Sequence, residues 1–235
     1  MVVLRLAYAS GVRREVAVAN QNKWRPSMPT LELTYFNAPG RAEPLRVALS
    51  IAGLPFLDHR LDYAGFGALK SEGKLPLGSV PVLDVDGLRV TQTGAMLRYI
   101  ARLGASDLYP ADLHDALVVD SVVDTFNDTL SNALAPSMFE RDMTKKLEMR
   151  MAFVQGPMAR ACSYVEGLIT RSGGPFVLGT TMSIADLVVA NQMLSFQSGH
   201  LDGISHDTLA PYPHLRALTE AYLADARVQA YRSKA

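Results

Sequence analysis

Ser79-Val80-Pro81-Val82-Leu83-Asp84-Val85-Asp86-Gly87-Leu88-Arg89-Val90-Thr91-Gln92-Thr93 decides how this chain folds. Two β-type runs, Pro81–Val85 and Leu88–Thr91, flank Asp86-Gly87, a dipeptide that favours a two-residue hairpin because both of its residues tolerate positive φ. A helix then spans Thr93–Leu103. Toward the N-terminus, Leu31–Phe36 reads as a strand closed by the turn Asn37-Ala38-Pro39-Gly40. Arg41–Ala52 reads as a helix, with Pro44 in its first turn and Gly53 at its end. Phe56–Leu61 is a second strand and Phe66–Ser71 a short helix at most. The order is β-α-β-α-β-β-α. A helical crossover makes the first two strands parallel, whereas the last two form a hairpin.

That order is thioredoxin-like. Beyond it, Gly104–Asp112 has the composition of a linker, and everything further is helical. Val119, Val122, Phe126, Leu130 and Ala133 keep one face of a helix over Leu113–Phe139. Leu147, Met151, Val154, Met158, Ala161, Val165 and Leu168 alternate by threes and fours along the next, which Pro157 should kink. Two further helices are expected over Ser183–Ser198 and Tyr212–Ala224, then a short one to Arg232. The expected architecture is a thioredoxin-like α/β domain over 30–106, followed by an all-helical domain over 107–235.

Composition narrows the function classes. The chain has 235 residues, with 23 Lys+Arg against 23 Asp+Glu, which argues against a nucleic-acid groove. Cys162 is the only cysteine, excluding a disulfide framework, a dithiol redox motif and a cysteine-rich zinc site. The five histidines show no HxxxH or HExxH spacing, so no metal is expected. No apolar run approaches the ~18 residues of a membrane span. Residues 1–27 carry Arg5, Arg13, Arg14, Lys23 and Arg25 against Glu15, five charges less one, a net +4. Residues 1–29 are expected to be a disordered extension, with Met28 an alternative start. The location expected is cytoplasmic, or mitochondrial if this basic leader is a presequence.

Several residues invite chemistry on their own. Tyr35 stands where a thioredoxin-like domain places its reactive group, and its hydroxyl either stabilises an anion on a ligand or fills core. Val80-Pro81 precedes a strand, and a cis bond there would turn backbone groups outward to pair with an extended peptide. Thr93 is a fair N-cap, and the helix start behind it a ready carboxylate site. Asp120, Asp124, Asn127, Asp128 and Ser131 share a helix face that is either solvated surface or functional. Ser183-Ile184-Ala185-Asp186 resembles a capping box, with Met182 and Leu187 at staple spacing. Cys162 lies among apolar residues as inert core.

From Leu31 to about Lys234 the chain resembles the cytosolic glutathione S-transferases, sigma class above all, which includes the haematopoietic prostaglandin D synthases. The stretches that carry the resemblance are LTYFNAPGRAEPLR (33–46), DHRLDYAGF (58–66), LPLGSVPVLDVDGLRVTQTGAMLRYIAR (75–102), VVDSVVDTFND (118–128) and TTMSIADL (180–187). The resemblance implies Tyr35 as catalytic tyrosine, followed by Phe36, with Arg41 supporting it. It puts Phe66 and Lys70 at the glycyl end of glutathione, and Ser79, Val80 and Pro81 at the backbone clamp. Gln92 and Thr93 fall at the γ-glutamyl group, and Asp128 at the γ-glutamyl amine bound by the other subunit of a homodimer.

There are departures. Phe66 replaces the family's usual tryptophan, and Ser79 a Lys or Gln, for which Lys74 is a candidate substitute. Asn127 replaces one of three acidic residues that bind a divalent ion in the prostaglandin enzymes, leaving Asp124 and Asp128, and Ala135 replaces their pocket tryptophan. Both weigh against prostaglandin isomerisation. The implied activity is conjugation of glutathione, as co-substrate, to small electrophiles. A glutathione-dependent isomerase or peroxidase and a non-catalytic binding or structural protein are the alternatives. The electrophile pocket is expected near Asn37, Met138 and Arg141.

Overall fold

The computed structural model describes residues 28–234, together with Val3–Leu4 and Val16–Ala17, which pair antiparallel. The disordered extension expected over 1–29 otherwise lies outside the described residues. Residues from Leu31 on form a compact unit of their own. It opens with β1 (Leu31–Phe36), a 3-10 turn (Gly40–Ala42), α1 (Glu43–Ile51), β2 (Leu57–Leu61) and α2 (Tyr63–Ser71). Next come β3 (Val82–Val85), β4 (Leu88–Val90) and α3 (Thr93–Leu103). The sheet order is β2-β1-β3-β4. β1 runs parallel to β2, with Tyr35 opposite Arg60, and antiparallel to β3, with Leu33 opposite Leu83. This is the thioredoxin-like arrangement expected from the strand order.

Two element starts differ from the sequence reading by more than one residue, for local reasons. The tight turn at Gly40–Ala42 delays α1 to Glu43. Asp62 advances α2 to Tyr63, because its carboxylate accepts the Gly65 N–H at 2.7 Å and caps the first turn.

The helical half comprises α4 (Leu113–Thr129), α5 (Ala135–Phe139), α6 (Met143–Phe153), α7 (Ala159–Ser172), α8 (Ile184–Gln197), α9 (Pro213–Ala224) and α10 (Ala226–Arg232). The long helix expected over Leu113–Phe139 is interrupted by a π turn at Leu130–Leu134, and the next by another at Val154–Met158, which contains Pro157. The second π turn changes which residues are inside. Arg150 and Phe153 are buried before it, Met158 at its end, and Ala161 and Val165 after it, a spacing of 3, 5, 3 and 4. The five is the wider π turn. Leu147 and Met151, read from the sequence as part of the buried stripe, are exposed instead.

α8 is started by the expected capping box. The Asp186 carboxylate accepts from the Ser183 N–H at 2.7 Å, the Ser183 hydroxyl at 2.8 Å and the Val177 N–H at 2.9 Å. Met182 and Leu187 are buried beside it. One apolar cluster runs from Leu31 and Leu33 through α1, α3 and α4 to α7, α8 and α9, so both halves share a core. Cys162 is buried within it, and burial pushes its thiol up to about 12.

Candidate active site

Side chains alternate along a strand, so Tyr35 points to the same face as the buried Leu31 and Leu33. It lies at the end of β1, packed on the core but only half-buried. Its hydroxyl oxygen accepts the backbone N–H of Arg41 at 3.2 Å, which leaves its own hydrogen to donate elsewhere. Gly40 makes this contact possible. Its φ is +45°, and a Cβ there would lie 2.5 Å from the Tyr35 hydroxyl oxygen and 2.9 Å from Cε1. Only glycine lets the turn close over the phenol.

The Arg41 side chain is exposed, so the contact Arg41 makes with Tyr35 runs through its backbone N–H and not through its guanidinium. The cation behind the turn is Arg46, which sequence reasoning missed. It is 1% exposed, with its guanidinium 5.9 Å from the Tyr35 ring centroid. It donates to the carbonyls of Ala38 at 2.9 Å, Pro39 at 3.4 Å and Phe36 at 3.4 Å. It also pairs with Asp58 at 3.0 Å and Glu43 at 3.4 Å. Two carboxylates face one guanidinium, so Arg46 shapes the turn rather than lending it net positive charge. Arg60 extends the network to Asp58 at 2.8 Å and to the Asn37 side chain at 3.1 Å. From the far end of the chain, the Tyr231 hydroxyl donates to Glu43 at 3.1 Å.

Phe36, the last residue of β1, packs edge-on against the Tyr35 ring at 5.7 Å between centroids, and its ring also meets Phe66 at 5.2 Å and Tyr63 at 5.4 Å. Lys70 lies over Phe66, 5.8 Å from its centroid, with its head exposed. Ser79 is exposed, and the Val80-Pro81 bond is cis. Gln92, not Thr93, is the N-cap of α3. It has φ +75° and ψ 103°, a conformation that costs a non-glycine residue about 1–3 kcal/mol and is typically kept where a site needs it. Thr93 is the first helical residue, and its position explains its state. It is 3% exposed, and among the described residues its hydroxyl is the one buried side-chain polar atom with no hydrogen-bond partner. An orphaned hydroxyl beside the unbonded N–H groups of a helix start fits a carboxylate.

The acidic face of α4 divides. Arg98 of α3 binds Asp120 at 2.6 Å and Asp124 at 2.9 Å, and the Tyr109 hydroxyl donates to Asp120 at 2.9 Å. Asp128 is exposed and takes no part in that network. Of the residues expected around the electrophile, Asn37 joins the Arg60 network, whereas Met138 and Arg141 are exposed on and beyond α5. Met138 accepts a 3.6 Å contact from Arg150, a buried guanidinium that also binds Ser137 and Asp202.

Family models for the glutathione S-transferase N-terminal domain and C-terminal domain match residues 31–102 and 127–235. A glutathione S-transferase of Anopheles gambiae is 32% identical over 211 residues, covering 88% of this chain and 97% of its own. S-crystallin 4 of Enteroctopus dofleini is 30% identical over 223 residues, covering 88% and 97%. The solved structure of prostaglandin synthase D of Nilaparvata lugens is 28% identical and aligns with a TM-score of 0.74 over 88% of this chain and 98% of that one. With both of its halves matched in order and the thioredoxin-like fold present, the chain belongs to the glutathione S-transferase family.

Proposed function

We propose that this protein conjugates glutathione to small electrophiles, with Tyr35 holding the glutathione sulfur as a thiolate. A free thiol has pKa ~8.5 and is mostly protonated at neutral pH. Lowering that value by about two units takes ~2.7 kcal/mol of preference for the charged form. A hydrogen bond to a charged group is worth ~1.5–3 kcal/mol, so one O–H donor aimed at sulfur is of the required size. The observation that carries this reading is the Tyr35 hydroxyl, fixed as acceptor by the Arg41 N–H and so oriented to donate outward.

In the same reading the Thr93 hydroxyl and the start of α3 take the γ-glutamyl carboxylate, Val80, between Ser79 and Pro81, pairs with the cysteinyl unit, and Lys70 with Phe66 flanks the glycyl end. Gln92 meets the γ-glutamyl group from the N-cap. Asp128, exposed and outside the Arg98 network, reaches the γ-glutamyl amine in a second copy of the chain, which makes the working unit a homodimer. The location proposed is cytoplasmic. Among the described residues no helix is long and apolar enough to cross a membrane. The isomerase alternative is less well supported. Ala135 and Asn127 depart from the prostaglandin enzymes, and Asp124 is already engaged by Arg98.

Replacing Tyr35 with Phe removes the donor and little else. Conjugation of 1-chloro-2,4-dinitrobenzene should fall by up to ~10²-fold, as when one oxyanion donor is lost, while glutathione still binds. Full turnover in Tyr35→Phe would overturn the proposal.

A further inference from the structure

Asn191 lies on α8 of the helical half, yet its side-chain Nδ2 donates to the backbone carbonyl of Gly40 at 2.9 Å, across 151 positions of sequence. The peptide it touches matters. The carbonyl of Gly40 and the N–H of Arg41 belong to one peptide unit, and that N–H is the donor that meets the Tyr35 hydroxyl at 3.2 Å. A chain of donors therefore runs from the Asn191 amide through the Gly40–Arg41 peptide to the Tyr35 oxygen, and from its hydroxyl hydrogen outward. A hydrogen bond accepted at a peptide oxygen shifts electron density from the nitrogen and makes its N–H a better donor. Of the charged groups at this corner, Glu43 and Arg46 of α1 with Asp58 and Arg60 of β2 are paired with one another, and the Arg41 side chain is exposed to solvent. Asn191 is half-buried, and Gly40 is fixed in place by its +45° φ.

We infer that Asn191 is a positioning residue for thiolate formation: it orients and polarises the Gly40–Arg41 peptide that sets the Tyr35 hydroxyl. This rests on the reading of Tyr35 as thiolate donor. It makes the helical half a contributor to the chemistry of the sulfur, separate from any part it plays in seating the electrophile.

The size of the effect follows from cooperativity. Each neighbouring bond strengthens the next by ~10–30%, so a quarter of a roughly two-unit thiol shift is about half a pH unit. The test compares wild type with Asn191→Ala, which removes the donor, and Asn191→Asp, which has the same shape but sets an oxygen against the Gly40 carbonyl. The ultraviolet thiolate band of bound glutathione is titrated against pH, and the affinity for S-methylglutathione, which has no thiol proton to lose, is measured alongside. The expected result is a titration midpoint raised by about half a unit in Asn191→Ala, roughly 3-fold less thiolate below the midpoint, and by more in Asn191→Asp, with S-methylglutathione affinity unchanged. Should one variant fail to fold, the other carries the comparison. Midpoints equal to wild type overturn the inference, as does a parallel loss of S-methylglutathione affinity, which would make Asn191 merely a strut. A wild-type complex with no thiolate band at neutral pH would instead sink the reading of Tyr35, and this inference with it.

Discussion

Thr93→Val should move stability and ligand affinity in opposite directions. Valine keeps the shape and β-branching of threonine at the first position of α3, so helix propensity barely changes. What disappears is a hydroxyl on a residue 3% exposed, with no partner for its oxygen. A buried unsatisfied polar group costs ~1–3 kcal/mol. Removing it should stabilise the ligand-free protein by about 1 kcal/mol, or ~2–4 °C in Tm for a chain of this size. The same change takes a donor from a bound carboxylate. A hydrogen bond to a charged group is worth ~1.5–3 kcal/mol, which predicts glutathione binding weakened by roughly 10- to 100-fold. Thermal melts of the ligand-free protein and calorimetric titration with glutathione read the two effects separately. A lower Tm would mean that the hydroxyl is satisfied in solution. Glutathione affinity within about twofold of wild type would remove Thr93 from the site.

Three other substitutions probe different parts of the structure. Gly40→Ala places a methyl group 2.5 Å from the Tyr35 hydroxyl oxygen. Steady-state kinetics should show a loss of turnover approaching that of Tyr35→Phe, ~10²-fold, and near wild-type rates would contradict the close approach. Asp128→Ala should leave Tm unchanged, because the side chain is exposed, but weaken glutathione by up to about fivefold if it reaches a second copy's ligand; unchanged affinity would return Asp128 to plain surface. Asp186→Asn tests a titration. Burial pushes the Asp186 carboxyl up to about 6, above the ~3.9 of an unfolded chain, so the folded state holds its proton to higher pH. This residue therefore makes stability fall as pH rises from ~4 to ~6 and adds no slope above that. Denaturant melts across pH 4–7 should show the wild type's advantage over Asp186→Asn narrowing through that window, by as much as ~3 kcal/mol; a constant gap would rule the titration out.

Much of the fold was legible because its signals are local. Asp86-Gly87 between two apolar runs fixes a hairpin, and α3 begins and ends where the sequence places it, at Thr93 and Leu103. The Ser183–Asp186 box marks the start of α8 in the same way. The failures come where backbone geometry departs from a fixed period. A stripe counted in threes and fours through Leu147 and Met151 assumes an unbroken α-helix, and the π turn at Val154–Met158 shifts the phase so that Arg150 and Phe153 face inward instead. Pro157 was the visible warning, but it announces an irregularity without saying which residues it turns inward. Thr93 was legible as a helix-start residue; that Gln92 and not Thr93 is the N-cap, with the Thr93 hydroxyl left unpartnered, is something no pattern of residue types reports.

The two arginines of GRAEPLR show why part of the site was hidden. Arg41 and Arg46 look equivalent in sequence, and proximity to Tyr35 favours Arg41. A helix lying on a sheet should leave one face in water, and an arginine among apolar neighbours would ordinarily turn to that face. α1 has no such face over most of its length: every residue from Pro44 to Leu49 is buried, because α3, α8 and α10 all pack against it. Arg46 is therefore trapped inside, and the carbonyls of Phe36, Ala38 and Pro39 together with Asp58 and Glu43 satisfy its donors. α3 closes one side of α1 from within the first half, and α8 and α10 of the helical half close the rest. The same half supplies the Tyr231 hydroxyl to Glu43 and the Asn191 amide to Gly40. The turn that sets Tyr35 is thus built by both halves of the chain at once, although every residue of the turn lies in the first.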